Sequence, residues 1–487
     1  MQITFINSTL GGDYSAMDIA ITALATYVNQ HTPYSASIID LTFHRRHWKE
    51  YLLHKIKTIK PNVIGISTNT MYMQYVKAVM KEIKKNFNLP IILGGHHASI
   101  YPEETLNLPE CDAVCIGDGE FPLAEYLHRL ASAKNFGGIK GIWVKQNGDI
   151  IKNEKGCFNE NLDIFPYPDW NLWEDLDKYF YFLGMLYLIG SRGCPYRCSY
   201  CDAHGIADAV GGKYFRLRDP VNYVEEIAYN WEKYKRRNLR LLQLFDPVFT
   251  MDDEWVEKFC QRYRKLRLHK KIRYSIFSRI DHLNRDKIKL LAESGCAILR
   301  VGVECGNEDM RKNIYKKNVS NQQIEEIFKI AKEHKIALTA YYILGGPGET
   351  RKSIKETIAM ANKLKAERSA FFIYKPFTSE GIKQIYELGG RIDYKKWEKV
   401  DNITFGAAIY TKELTPHQIE THQKLAYFTT FGKRLISMIF KQGIKYFFRL
   451  FIYLFRGFVR NGLSVSYLIT YYHISVSYTH LTLPTKA

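Results

Sequence analysis

Short apolar runs alternate with amphipathic stretches along the first 130 residues of the chain. The runs at 3–6, 36–39, 63–67, 91–94 and 113–117 predict strands, and the segments between them are long enough for helices. Strands alternating with helices imply a parallel sheet with helices on both faces. Such sheets bind ligands at the carboxyl ends of their strands, where glycine turns let the backbone approach a phosphate or a ring. Two turns stand at such ends, Gly94-Gly95-His96-His97-Ala98-Ser99 and Gly117-Asp118-Gly119-Glu120. Each also fits an ordinary strand-to-helix turn.

A connector is expected over 136–184, opening with Gly137, Gly138 and Gly141 and closing with Phe165-Pro166-Tyr167-Pro168-Asp169-Trp170. From Tyr187 to about Lys375 the strand and helix pattern resumes, at a spacing that suits about six repeats. Several apolar runs there end in residues with chemistry: Asp246 after Leu241-Leu242-Gln243-Leu244-Phe245, Arg279 after Tyr274-Ser275-Ile276-Phe277-Ser278, and Glu304 after Gly302-Val303. A further run ends in Gly345-Gly346-Pro347-Gly348-Glu349-Thr350. Taken singly, each charged residue reads equally as half of a salt bridge on the rim.

Beyond residue 390 the pattern is mostly helical, and at 434–460 it becomes one-sided. With Arg434 at zero on a helical wheel, Lys441, Lys445, Arg449, Arg456 and Arg460 fall between about −20° and 80°. Aromatic and aliphatic residues fill the rest, which suits a helix lying in an anionic membrane interface. Packing on the rest of the protein or on a second subunit is the alternative. The longest uncharged runs are six residues, far short of a membrane span. The aromatics do not interleave with the charges, so nucleic acid is not an expected partner.

The chain has 487 residues and a net charge of +19, from 69 basic and 50 acidic side chains. Much of the excess sits in the tail, since no Asp or Glu follows His422. Nine cysteines without a secretory signal argue against a disulfide framework and for a reducing cytoplasm. Residues 476–487 resemble the conceptual translation of a transposon sequencing adapter and are set aside as an artefact. On that reading the natural carboxyl terminus is missing.

Three of the cysteines stand together, Cys194, Cys198 and Cys201, in the spacing C-x3-C-x2-C. Three thiolates on so short a segment make a metal or cluster site, and a cubane cluster held by three sulfurs keeps one iron open. His204 follows at a spacing that would instead complete a Cys3His zinc site in a non-catalytic, membrane-associated protein. The triplet, with Tyr200 before its last cysteine and the apolar run Leu186-Tyr187-Leu188-Ile189 ahead of it, resembles the radical S-adenosylmethionine (SAM) superfamily.

That resemblance implies a [4Fe-4S] cluster on Cys194, Cys198 and Cys201 whose free iron chelates SAM, and reductive cleavage of SAM to a 5′-deoxyadenosyl radical. It implies an incomplete (β/α)6 barrel, with Tyr200, Asp246, Arg279, Glu304, Gly346, Pro347, Gly348 and Glu349 contacting SAM. Leu299-Arg300-Val301-Gly302-Val303-Glu304-Cys305-Gly306 is similar to the family's Gly-x-Glu-Ser-Gly strand end, with Cys305 in place of serine. The two amino-terminal turns are similar to those of the cobalamin-binding domain found in one branch, although His96 replaces a proline and Asp118 a glutamate. Gly94, Gly95, His97, Gly117, Gly119 and Glu120 are the residues this assigns to cobalamin. No Asp-x-His-x-x-Gly is present, so the resemblance implies a cobalt without a protein imidazole. A relict domain that has lost its cofactor is the alternative.

The expected organisation is a Rossmann-like cobalamin-binding domain at 1–135, the connector at 136–184, a TIM-like radical SAM core at 185–390 and a helical region at 391–475. The expected activity is methylation of an unactivated carbon. An oxidative cyclase or rearrangement enzyme with the same cofactors is the alternative. Expected partners are a small-molecule or lipid substrate and an electron donor such as flavodoxin or ferredoxin, with peripheral contact to the inner face of the membrane.

Overall fold

The computed structural model describes residues 1–10, 17–146, 148–400 and 404–432, with Phe448, Phe451, Ile452 and Phe455. The basic stretch expected at 434–460 therefore lies outside the described residues, apart from those four exposed side chains. Up to Ile452 the chain forms two compact units. One comprises Met1–Leu183 with Ala203–Arg216, the other Gly184–Asp202 with Leu217–Ile452. Among the described residues no helix is long and apolar enough to cross a membrane.

The first unit is built on a seven-stranded sheet. Its strands are β1 (Gln2–Asn7), β2 (Ser35–Asp40), β3 (Val63–Thr68), β4 (Ile91–Gly95), β5 (Ala113–Cys115), β6 (Ile142–Gln146) and β7 (Asp149–Lys152), in the order β2-β1-β3-β4-β5-β6-β7. The first five pair in parallel. They are close to continuously apolar because both faces are covered, and Ile6, Ile64, Ile66, Leu93 and Val114 are 2% exposed or less. Helices α1 (Ile19–His31), α2 (Trp48–Ile59), α3 (Met73–Asn86), α4 (His96–Ile100), α5 (Pro102–Leu106) and α6 (Glu120–Ala131) fill the crossovers. Asp18 caps α1 by accepting from the amides of Ala20 and Ile21 at 2.8 and 3.1 Å. Part of the expected connector belongs to this sheet, since β6 and β7 add to it antiparallel. Helices α7 (Leu176–Phe182) and α8 (Ala203–Val210) complete the unit.

Six parallel strands form the second unit: β8 (Met185–Leu188), β9 (Leu241–Leu244), β10 (Arg273–Ser278), β11 (Cys296–Glu304), β12 (Ala337–Leu344) and β13 (Arg368–Ile373). They pair in chain order, and β13 does not close onto β8, so the sheet is a half-barrel. Between them lie α9 (Pro220–Tyr234), α10 (Asp253–Lys265), α11 (Arg285–Ser294), α12 (Asn321–Glu333) and α13 (Arg351–Leu364). Capping residues start these helices, with Asp219 before Pro220 of α9 and Ser320 and Thr350 in capping boxes at α12 and α13. The Thr350 of the Gly-Glu-Thr turn is thereby explained as an N-cap. A further helix, Pro416–Tyr427, lies along the β13 edge. There Phe371 donates its amide to the Tyr427 hydroxyl at 3.1 Å, and its carbonyl accepts from Gln423 Nε2 at 2.7 Å.

Candidate active site

In the half-barrel the three cysteines lie on the loop that leaves β8. Cys198 is buried, whereas Cys194 and Cys201 are partly exposed. The Cys201 amide donates to the Cys198 carbonyl at 3.0 Å, a turn that places the last two cysteines close along the chain. Ser199 anchors the loop, its hydroxyl donating to Ile314 O at 2.6 Å while its carbonyl accepts from Thr378 at 2.5 Å. Arg279, at the end of β10, stacks 3.6 Å from the Tyr196 ring centroid and points Nη1 at Cys198 Sγ, 3.5 Å away. Asp281 holds that guanidinium in a fork at 3.0 and 2.7 Å.

Asp246, at the end of β9, is fully buried and accepts from Gly190 N at 2.9 Å, Ser191 Oγ at 2.6 Å and Tyr223 OH at 3.2 Å. It ties down the chain just ahead of the cysteines. Burial pushes its carboxyl up to about 6, and the three donors only partly offset this. Glu304 ends β11, and its Oε1 accepts from Tyr200 OH and Lys317 Nζ, both at 2.8 Å. One carboxylate thus joins the cysteine loop to a strand end. At the end of β12 the Glu349 carboxyl, buried and pushed up to about 8, accepts from the Gly345 amide. A side chain at Gly346 would strike the Tyr315 hydroxyl, with its Cβ only 2.1 Å away. Glycine leaves room there for the Tyr315 hydroxyl.

Among the described residues no three His, Cys, Asp or Glu side chains converge at metal-holding distance. The fit of the loop to an iron–sulfur cluster lies in its donors, three soft thiols on one short segment, and in the Arg279 cation beside Cys198. His204, the fourth ligand of the zinc alternative, belongs to the first unit.

In the first unit both glycine turns meet at the carboxyl ends of β4 and β5. Gly95 has φ 90°, and a Cβ there would lie 2.7 Å from Thr68 O, so the backbone demands glycine. Among the described residues, a side chain at Gly94 would meet Cys115, at 3.7 Å. Ser99 accepts from the Gly117 amide at 3.1 Å and joins the two turns. His97 is buried, its Nδ1 3.1 Å from Thr70 Oγ1, and burial lowers its basicity. Its Nε2 lies 3.9 Å from Glu104 Oε1. Gly119 and the buried Glu120 open α6.

Sequence reasoning missed several members of these sites. Tyr223, Asp281, Arg311, Tyr315 and Lys317 carry no motif. The contact of α8 with this unit was missed too: Val210 lies 3.3 Å from a Cβ built on Gly117, and Arg216 pairs with Asp118.

Residues 188–361 match the radical SAM superfamily and residues 3–127 the B12 binding domain. The chain thus carries both a radical SAM domain and a B12-binding domain, and it is an enzyme. It is 27% identical over 392 residues to the uncharacterized methyltransferase PH0819 of Pyrococcus horikoshii, a match spanning 79% of this chain and 82% of that protein. It is 24% identical to the anaerobic magnesium-protoporphyrin IX monomethyl ester cyclase of Rubrivivax gelatinosus, over 73% of this chain but only 63% of the cyclase. In fold it is similar to the radical SAM methyltransferase TsrM of Kitasatospora setae, solved with cobalamin and a [4Fe-4S] cluster. That similarity has a TM-score of 0.69 at 15% identity, over 88% of each chain. These matches favour an enzyme over a non-catalytic zinc protein.

Proposed function

We propose that this chain is a cobalamin-dependent radical SAM methyltransferase acting on an unactivated carbon of a small molecule. The observation that carries this is the bond from Tyr200 to Glu304, which fixes the cysteine loop to a strand end of a parallel half-barrel. When bound, the reduced cluster supplies the electron that splits SAM into methionine and a 5′-deoxyadenosyl radical, and cobalamin supplies the methyl-carrying chemistry. Cys194, Cys198 and Cys201 hold the cluster, and Arg279 offsets the negative charge of its thiolates. Glu304 and the backbone of Gly346, Pro347 and Gly348 receive SAM. Asp246 and Glu349 act indirectly, by setting the Gly190-Ser191 and Gly345-Gly346 turns. Gly94, Gly95 and Gly117 would present backbone to cobalamin, with His97, Gly119 and Glu120 shaping the same turns. A partner of the flavodoxin or ferredoxin kind would supply the electron.

The test is anaerobic reconstitution with iron, sulfide, cobalamin and SAM, followed by mass spectrometry of the SAM products. Methyl transfer yields S-adenosylhomocysteine together with 5′-deoxyadenosine. The similarity to the cyclase favours a second reading without methyl transfer, for which deoxyadenosine alone is the expected product. A reconstituted chain holding neither iron nor labile sulfide refutes both.

A further inference from the structure

The segment between β11 and α12 carries two cations to which the reading above gives no task. Arg311 and Lys317 are buried, at 0% and 3% exposure. Both converge on Glu304, the strand-end carboxylate.

Glu304 has φ 65°, a left-handed backbone that a glutamate adopts only when its surroundings enforce it. The register of β11 against β12 shifts just there, between Gly302 and Glu304. Arg311 enforces the distortion from both sides, since Nε donates to Val303 O at 3.1 Å and Nη2 to Cys305 O at 2.6 Å. It also donates to Val319 O at 2.5 Å and Asn321 Oδ1 at 2.6 Å, which ties the strand end to the start of α12.

Lys317 completes the arrangement on the side chain. Its ammonium donates to Gly302 O at 2.7 Å and to Glu304 Oε1 at 2.8 Å. The carboxylate folds back over Gly302, where a Cβ would lie 2.0 Å from Oε1 and 2.8 Å from Nζ. The bare glycine leaves room for that fold. Oε1 is taken by Lys317 and Tyr200, while Oε2 accepts no hydrogen bond among the described residues. A carboxylate this buried needs a matched cation.

We propose that Lys317 is a positioning residue for SAM: by gripping Oε1 against Gly302 it fixes Glu304 so that Oε2 accepts a hydroxyl or ammonium hydrogen of SAM. The assignment rests on the radical SAM reading above. Tyr200, on the same oxygen, ties that acceptor to the cysteine loop, so SAM meets an anchor set in register with the cluster.

The test measures SAM binding by equilibrium dialysis on the anaerobically reconstituted full chain, with iron and labile sulfide determined on each sample. Lys317→Met keeps the iron and sulfide of the native chain, but its Kd for SAM rises about tenfold or more, the scale of a lost charge-assisted contact. Because Lys317 acts through Glu304, the double variant Glu304→Gln/Lys317→Met binds SAM no more weakly than Glu304→Gln alone. Native SAM binding in Lys317→Met, with its cluster in place, overturns the assignment and leaves the radical SAM reading intact. A native chain without iron and sulfide overturns that reading itself. Where Lys317→Met does not fold, the double variant, which buries no unmatched charge, decides: binding equal to Glu304→Gln supports the role, and binding about tenfold weaker refutes it.

Discussion

Replacing Asp246 by asparagine is expected to stabilise the half-barrel above neutral pH, although Asp246 is the centre of a hydrogen-bond network. Two effects oppose each other at this carboxyl. Gly190, Ser191 and Tyr223 donate to it, which favours the charged form, while complete burial disfavours it. Burial wins, since the group rises from its ordinary 3.8 to about 6. The folded chain therefore holds this proton more tightly than the unfolded chain does. The group's contribution is most favourable below 3.8 and is lost as pH rises through about 6. At pH 8 the charged, buried form costs about 3 kcal/mol. Asparagine keeps the shape and an acceptor for Gly190 and Ser191, and Tyr223 can accept from its amide. Removing the charge should raise the melting temperature of this unit by about 5–10 °C at pH 8, with the gain shrinking steadily towards pH 5. Calorimetry of both proteins across that range, under argon, checks the sign and the slope. An Asp246→Asn chain that melts at or below the native temperature at pH 8 would show that the three donors outweigh burial, and the reasoning would fail.

Cys198→Ala is expected to lose SAM cleavage and most of its iron, read as absent 5′-deoxyadenosine and a low iron content after reconstitution. Gly95→Ala, which combines a positive φ with a Cβ 2.7 Å from Thr68 O, should destabilise the first unit by about 2 kcal/mol and lower its calorimetric transition. Its binding of cobalamin, followed by absorbance after gel filtration, should fall in parallel.

The strands of the first sheet were legible because they are buried on both faces and read as unbroken apolar runs. The expected run at 91–94 matches β4 almost residue for residue. The β6–β7 hairpin was missed despite a clear signal, Asn147-Gly148 between Ile142-Trp143-Val144-Lys145-Gln146 and Asp149-Ile150-Ile151-Lys152, because the surrounding glycines and prolines suggested a connector. The cysteine loop was legible because ligand spacing is a local property. Its supports were not. Arg311, Lys316 and Lys317 look in sequence like a solvated basic run, and only the fold turns two of them inward. Nor does any local signal assign Ala203–Arg216 to the first unit, since a pattern read along the chain does not reveal which core a short helix joins.

The side chains of Gln423 and Tyr427 occupy backbone groups of β13 that a closed barrel would have given to another strand. A half-barrel keeps two such margins, and an unshielded margin invites a neighbouring copy to add its own strand. Truncation of this chain therefore has a sharp threshold. Shortened forms that retain Pro416–Tyr427 should remain dispersed in gel filtration, whereas those cut ahead of Pro416 expose Phe371 and should self-associate.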